Sequence, residues 1–326
     1  MKIRQFTICL VILLLTQGSA LYAAQSNYRG KKILYVNSYH KGYDWSDGEQ
    51  RGAQRALSKT GVDLKIVYMD TKNNPSVDSC KEAALRVKKI IDEFKPDVLI
   101  TSDDNAFVYV VVPYFRDTSL PVVFCGFNWD MSSYGAPYKN TTGMIEIGLN
   151  GELYSHLRKF SKGNRVGFLC FDAAHERAGY KRGIKYIKSN SFYPAFVKDF
   201  SSWKREFLNL QDKSDMIIIG SREGIQGWDE AEATNFIYNN VRVPTGSDMD
   251  LVAPFCLIGL LKLPEEQGEY AALAALRILN GEKPYQIPVV NNRKGILLLN
   301  FDIAGKLGII FPPSMIKSAQ KIINKE

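Results

Sequence analysis

Short apolar runs recur along the chain. Each feeds a polar or aromatic cluster and then a stretch with helical periodicity. The first run is Ile33-Leu34-Tyr35-Val36, within the segment KKILYVNSYHKGYDWSD, and it breaks into Asn37, Ser38, Tyr39, His40, Tyr43, Asp44 and Trp45 where a strand would end. The same device returns at Thr101–Asn105, Cys125–Asp130, Phe171–Glu176, Gly220–Trp228 and Gly246–Asp250. A buried strand that opens into a polar loop is what an open parallel sheet presents at its ligand edge, beyond the carboxyl ends of the strands.

Between the runs, apolar residues spaced by three and four predict helices. In the first half these cover Asp47–Lys59, Val77–Phe94 and a helix opened by Ser102-Asp103-Asp104 that ends near Pro113. The strands beside them are Leu64–Tyr68, Val98–Ile100 and Leu120–Phe124. The register restarts near Gly143. Helices then follow at Asn150–Phe160, Ala173–Lys188, Ser201–Leu210, Asp229–Asn239 and Glu265–Leu279. The strands of this series are Met144–Ile147, Arg165–Cys170, Ala195–Val197, Met216–Ile219, Val241–Thr245 and Gly295–Asn300, with a further apolar run at Phe255–Leu261. Alternation of this kind is the α/β signature, and two series predict two lobes whose strand-end clusters meet across a cleft.

Composition narrows the class. With 326 residues, 45% hydrophobic and 23% charged, the chain can bury two cores and is neither disordered nor polytopic. Lys2 and Arg4 precede an apolar run from Phe6 to Leu15 and small residues from Gly18 to Ala24, the pattern of a cleaved secretory signal. The run is shorter than the roughly 20 residues that span a bilayer. The expectation is an exported, periplasmic protein with residues 1–24 removed. The net charge of +8 is spread along the chain without a basic stripe, so nucleic acid is not an expected partner. Cys80, Cys125, Cys170 and Cys256 remain after processing, and export permits pairing among them. No Cys or His spacing suggests a metal, and no cofactor is expected.

Several pieces are recognisable together: ILYVNSYHKGYDW, PDVLITSDDNAF, LPVVFCGFN, EQGEYAALAALRILNGEKPYQIPV and LLLNFDIAGKLGIIFPPSMIKSAQKII. On these the chain resembles the periplasmic solute-binding proteins of ABC transporters with the type I two-lobed fold, in the branch that includes aromatic amino acid binders. The resemblance implies each lobe is a mostly parallel sheet flanked by helices. It places residues 25–142 and 254–287 in the first lobe and 143–253 and 288–326 in the second, with crossovers near Gly143, Ala253 and Pro288. It implies a monomer that binds a small organic ligand and serves an ABC permease. The alternative it leaves open is an extracytoplasmic sensor docked on a membrane-bound kinase or cyclase. The chain ends at Glu326 after an ordinary helix, which favours a free receptor.

A cleft of this kind needs contacts from both lobes. The first-lobe candidates are Ser38, Tyr39, Tyr43, Trp45, Asp103, Asn105, Phe127 and Asn128; those of the second are Asp172, His175, Ser221, Arg222, Ser247 and Asp248. Tyr and Trp grip an apolar body, Arg222 suits a carboxylate through paired hydrogen bonds, and Asp103, Asp172 or Asp248 suit an ammonium. Structural roles compete for the same residues. Ser102 and Asp103 could cap a helix, Arg222 could pair with Glu223 or Asp229, and Phe127 and Trp129 could be hinge packing. An enzyme is not expected, because the chain has no Gly-x-Ser-x-Gly elbow, no phosphate loop, no dinucleotide fingerprint and no His-Glu-x-x-His.

Overall fold

The computed structural model describes residues 28–324, so the expected signal segment lies outside the described residues. The first sheet contains β1 (Lys32–Asn37), β2 (Asp63–Tyr68), β3 (Val98–Ser102), β4 (Val122–Asn128), β5 (Thr141–Glu146) and β11 (Val290–Asn291). Its order is β11-β5-β4-β3-β1-β2, and every pairing is parallel. Strand alternation divides its core in two. Ile33 and Tyr35 of β1 face one side with Val98, Ile100, Val123 and Cys125, whereas Leu34 and Val36 face the other with Leu99, Val122 and Phe124.

Helices cover both faces. On one side lie α1 (Asp44–Leu57) and, from much later in the chain, the Ala-rich α8 (Pro264–Leu279), whose Ala271, Ala272, Ala274 and Ala275 are buried. On the other are α2 (Val77–Phe94) and α3, which is built from Asp103–Ala106, a π-helical stretch Phe107–Val111 and Val112–Tyr114. The expected cap at Ser102 is not made by its side chain.

The second sheet contains β6 (Val166–Phe171), β7 (Phe192–Val197), β8 (Met216–Ile219), β9 (Thr245–Ser247), β10 (Ile258–Lys262), β12 (Gly295–Asn300) and β13 (Lys321–Ile323). Its order is β13-β12-β10-β9-β8-β6-β7, parallel except where β12 runs against β10. Helices α4 (Asn150–Leu157), α5 (Ala174–Gly183), α6 (Phe200–Lys213) and α7 (Glu230–Asn240) pack around it. Two short helices, α9 (Phe301–Leu307) and α10 (Pro313–Ser318), follow β12. Trp203 and Phe207 of α6 stack at 5.6 Å in the core of this lobe. The strand expected at Val241–Thr245 is instead Thr245–Ser247, because Pro244 has no N–H for a ladder.

Sheet membership moves all three crossovers past their expected positions. Gly143 is no break: it lies inside β5, where a Cβ would stand 2.0 Å from the Phe124 carbonyl oxygen, so the strand needs glycine for close approach. The first crossing is therefore at residues 147–149. Ala253 sits in a turn of the second lobe, and the second crossing follows Lys262. Val290–Asn291 pairs with β5 beyond Pro288, which puts the third crossing at residues 292–294.

The three crossings are bonded to one another. Asn292 accepts the Ile147 N–H at 2.7 Å and donates to the Ile147 carbonyl at 3.1 Å, Glu266 accepts the N–H groups of Arg293 and Lys294, and Lys262 pairs with Glu146. These bonds tie the three connections between the sheets to one another.

Candidate functional site

At the carboxyl ends of the strands of both sheets lies a cavity of about 360 Å³. Its walls come from both lobes and the hinge: Asn128 and Trp129 after β4, Glu146 to Gly148 at the first crossing, Asn150, His175, Glu176, Tyr180 and Arg182 around α5, Gly220 after β8, Asp248 and Met249 after β9, and Lys262 at the end of β10. The sequence-based candidates Asn128, His175 and Asp248 are among them.

The first-lobe wall is built on the β4 bulge. Pairing with β5 shifts between Phe124 and Phe127, and Gly126 there has φ +65° and donates its N–H to Gln267 of α8 at 3.0 Å. That irregularity turns Asn128 and Trp129 outward. Asn128 is fixed by Asp104, which accepts its side-chain N–H at 2.7 Å and its backbone N–H at 3.1 Å. Trp129 reaches the other lobe, with the Arg182 guanidinium 5.3 Å from its ring centre.

Behind this wall the remaining first-lobe candidates divide. Asp103 is 3% exposed with φ +62°, and burial, followed by the charges of Glu146 and Asp104, pushes its carboxyl well above the usual range. Tyr39 packs edge-on against Tyr43 at 5.0 Å, with the Lys72 ammonium 4.5 and 4.9 Å from the two rings. Trp45 lies under the Lys262 ammonium at 5.1 Å. Ser38 is internal: its hydroxyl donates to the Ser102 carbonyl at 2.6 Å and accepts from the Ala106 N–H at 2.7 Å, tying β1 to α3. Asn105 donates to the Thr71 hydroxyl at 2.8 Å, so it orders a loop beside the cleft. Phe127 is a core residue, packed on Phe107, Phe124 and Tyr134, because the bulge turns it inward.

In the second lobe four of the candidates, Arg222, Asp172, Ser221 and Ser247, lie outside the cavity's lining. Arg222 pairs with Glu230 at 2.8 Å and stacks near Trp228, away from the cavity. Asp172 is held by Arg177 at 2.7 Å on the outer side of α5. Ser221 accepts the Glu223 N–H at 3.2 Å and Ser247 the Met249 N–H at 3.1 Å, so both close turns. Asp248 alone of that lobe's buried candidates faces the cleft, and burial raises its carboxyl while Lys262 favours its charged form.

Among the wall residues that the strand-end reading missed, Glu146 and Lys262 are the buried charges. Glu146 is 5% exposed, and burial raises its carboxyl against the pull of the Lys262 ammonium. The signal was present in the sequence: each is a lone charge ending an apolar strand, MIE before IGLN and LLK before LPEE. Among the described residues the four cysteines, Cys80, Cys125, Cys170 and Cys256, are free and buried. Among the described residues no group of His, Cys, Asp and Glu could hold a metal, and no helix is long and apolar enough to cross a membrane.

Glu49 of α1 is wholly buried behind Asp103, and burial, then Asp103, then Glu146, pushes its carboxyl well above the usual range. A carboxyl raised on folding stabilises the fold below its unfolded value and loses that contribution as pH rises through its folded value. The empty protein is therefore expected to melt higher at mildly acidic than at alkaline pH. Glu49→Gln is expected to flatten that slope, each tenfold displacement of a proton equilibrium being about 1.4 kcal/mol. Melting temperature against pH for parent and variant checks this, and equal slopes would contradict it.

A family model described as ABC transporter substrate binding protein matches residues 43–323. No curated protein matches the chain. Among solved structures, the ligand-free, open form of a substrate binding protein with adhesive properties from Clostridium difficile superposes with a TM-score of 0.67 at 15% identity, covering 91% of this chain and 100% of that one. A conserved domain protein from Vibrio cholerae gives 0.52 at 14% identity, covering 90% and 99%. An ABC domain from Streptococcus pneumonia in complex with L-Trp gives 0.50 at 17% identity, covering 91% and 100%.

Proposed function

This chain belongs to the ABC transporter substrate binding protein family, and from that premise we propose that it captures a small organic solute between its lobes outside the cytoplasm and delivers it to an ABC importer. The observation that carries the reading is the cavity itself, walled by charged and aromatic side chains of both lobes and floored by the hinge. A solute in contact with both walls stabilises the closed arrangement by its differential affinity for it, and the permease then reads occupancy as shape. The apolar faces of Trp129 and Tyr180 suit a solute with an aromatic or aliphatic body, and the carboxylates and cations around them suit polar substituents. No step of this requires catalysis.

Thermal unfolding of residues 25–326 against amino acids, amines, nucleosides, sugars and carboxylates tests the reading. A solute that binds only the folded state, at a hundred times its dissociation constant, adds about 2.7 kcal/mol. A clear rise in melting temperature with at least one class is expected. A flat response across all classes at millimolar concentration would overturn solute capture.

A further inference from the structure

We propose that the solute is an organic acid with an apolar body, its carboxylate received by Arg182 across from Trp129. This rests on the capture reading above and sharpens it.

The acidic and basic side chains that line the cavity are matched with one exception. Lys262 pairs with Glu146 and also acts on Asp248, and a ring nitrogen of His175 lies 3.4 Å from Glu176. Arg182 is the exception. Its guanidinium makes no hydrogen bond or ion pair with any described residue, and its Nε is buried without a partner. Asp130, an acid outside the lining on which its charge acts, spends its oxygens on the Ser132 N–H and hydroxyl, each at 2.8 Å. A buried donor without an acceptor is unfavourable, and a carboxylate supplies acceptor and opposite charge together. Near Glu146, Asp248 or Glu176 a carboxylate meets like charge, so Arg182 is its place in this cavity.

The surroundings of Arg182 fit that occupant. The Trp129 ring, carried by the other lobe, has its centre 5.3 Å from the guanidinium carbon, and a guanidinium held over a ring keeps its edge donors for a carboxylate. Asn150 adds an amide. A Cβ on Gly148 would stand 2.9 Å from its Nδ2 and one on Gly183 2.8 Å, so glycine at both positions leaves the space around this donor open. Phe168 and Tyr180, with ring centres 4.8 Å apart, line the same cavity beside Ile184 and Ile187 and offer contacts to an apolar body. Because Trp129 and Arg182 belong to different lobes, an acid held between them touches both, which is the condition for favouring closure.

The test compares acids with their carboxamides by calorimetry and thermal shift on residues 25–326. The acids are indole-3-propionate, L-tryptophan, hexanoate and L-leucine, with any carboxylate that raises the melting temperature in the wider panel, each against the amide of the same skeleton. In the parent protein at least one acid is expected to bind about tenfold or more tighter than its amide, since a hydrogen bond to a charged group is worth about that much. Arg182→Gln is expected to bring this ratio close to one, whereas loss of a purely structural contact would weaken acid and amide alike. Arg182→Lys, which keeps the charge and loses the planar fork, is expected to hold an intermediate ratio. Arg177 lies on the same helix but pairs with Asp172 outside the cavity, so Arg177→Gln, which removes the same charge, is expected to bind the acid like the parent. Amides binding as tightly as their acids, a solute without an acid group binding while every acid fails, or Arg182→Gln keeping the parent's ratio would overturn the acid seat and leave solute capture standing. No response to these probes or to the wider solute classes would overturn both.

Discussion

Lys262→Met is expected to cost the empty protein about 3 kcal/mol near pH 8. The variant leaves Glu146, 5% exposed at the first crossing, without the ammonium that faces it, and removing one partner of a buried pair commonly costs about 3–5 kcal/mol. The lower end applies because 30% of the lysine side chain remains accessible. The cost is expected to shrink as pH falls, since Glu146 takes up a proton once the lysine is gone. Adding Glu146→Gln to Lys262→Met is expected to restore most of the loss, because both charges then leave together. Urea unfolding of the two single variants and the double variant at pH 5 and pH 8 measures this. Additive losses in the cycle would show that the pair carries no coupling. Because the pair joins two crossings, the single variant is also expected to bind solute more weakly.

Gly268→Ala is expected to be as damaging, at about 3 kcal/mol, for a reason with no charge in it. Helices α1 and α8 cross where Gly48 meets Pro264, Gly52 meets Glu265 and Gly268 meets Glu49 and Ala53. A Cβ on Gly268 would stand 1.7 Å from the Glu49 carbonyl oxygen and 2.9 Å from the Ala53 nitrogen, which are backbone atoms with no rotamer to turn aside. The helices must separate, and overpacking of that kind typically costs about 1–3 kcal/mol, with rigid contacts at the upper end. Separation also moves Glu49 and Gln267, which buttress Asp103 and the β4 bulge. Gly305→Ala, with open space around its Cβ position, is the control. Thermal melts of both variants decide the matter: a Gly268→Ala protein as stable as the parent would mean that the two helices tolerate a wider crossing.

The sequence by itself determined the class of fold, because that is written in local periods. Two-residue alternation sets Ile33 and Tyr35 against Leu34 and Val36, spacings of three and four make Val77–Phe94 a helix, and the short, β-branched apolar run Met216–Ile219 makes a buried strand. It also determined where polar residues gather, since a chain leaving a buried sheet must turn at the strand ends. What it left open was which way each of those residues faces. Phe127 and Asn128 are neighbours, yet one fills the core and the other walls the cavity, and the bulge that separates them depends on Gln267, far along the chain. Arg222 found Glu230 rather than its nearer acids, and the crossovers slid past Gly143, Ala253 and Pro288 because strand pairing, a contact between distant segments, sets where a strand stops. The charge pair at the hinge is the clearest case. Glu146 and Lys262 are 116 positions apart, and only packing the two sheets brings them into one site, where burial gives each charge its need for the other.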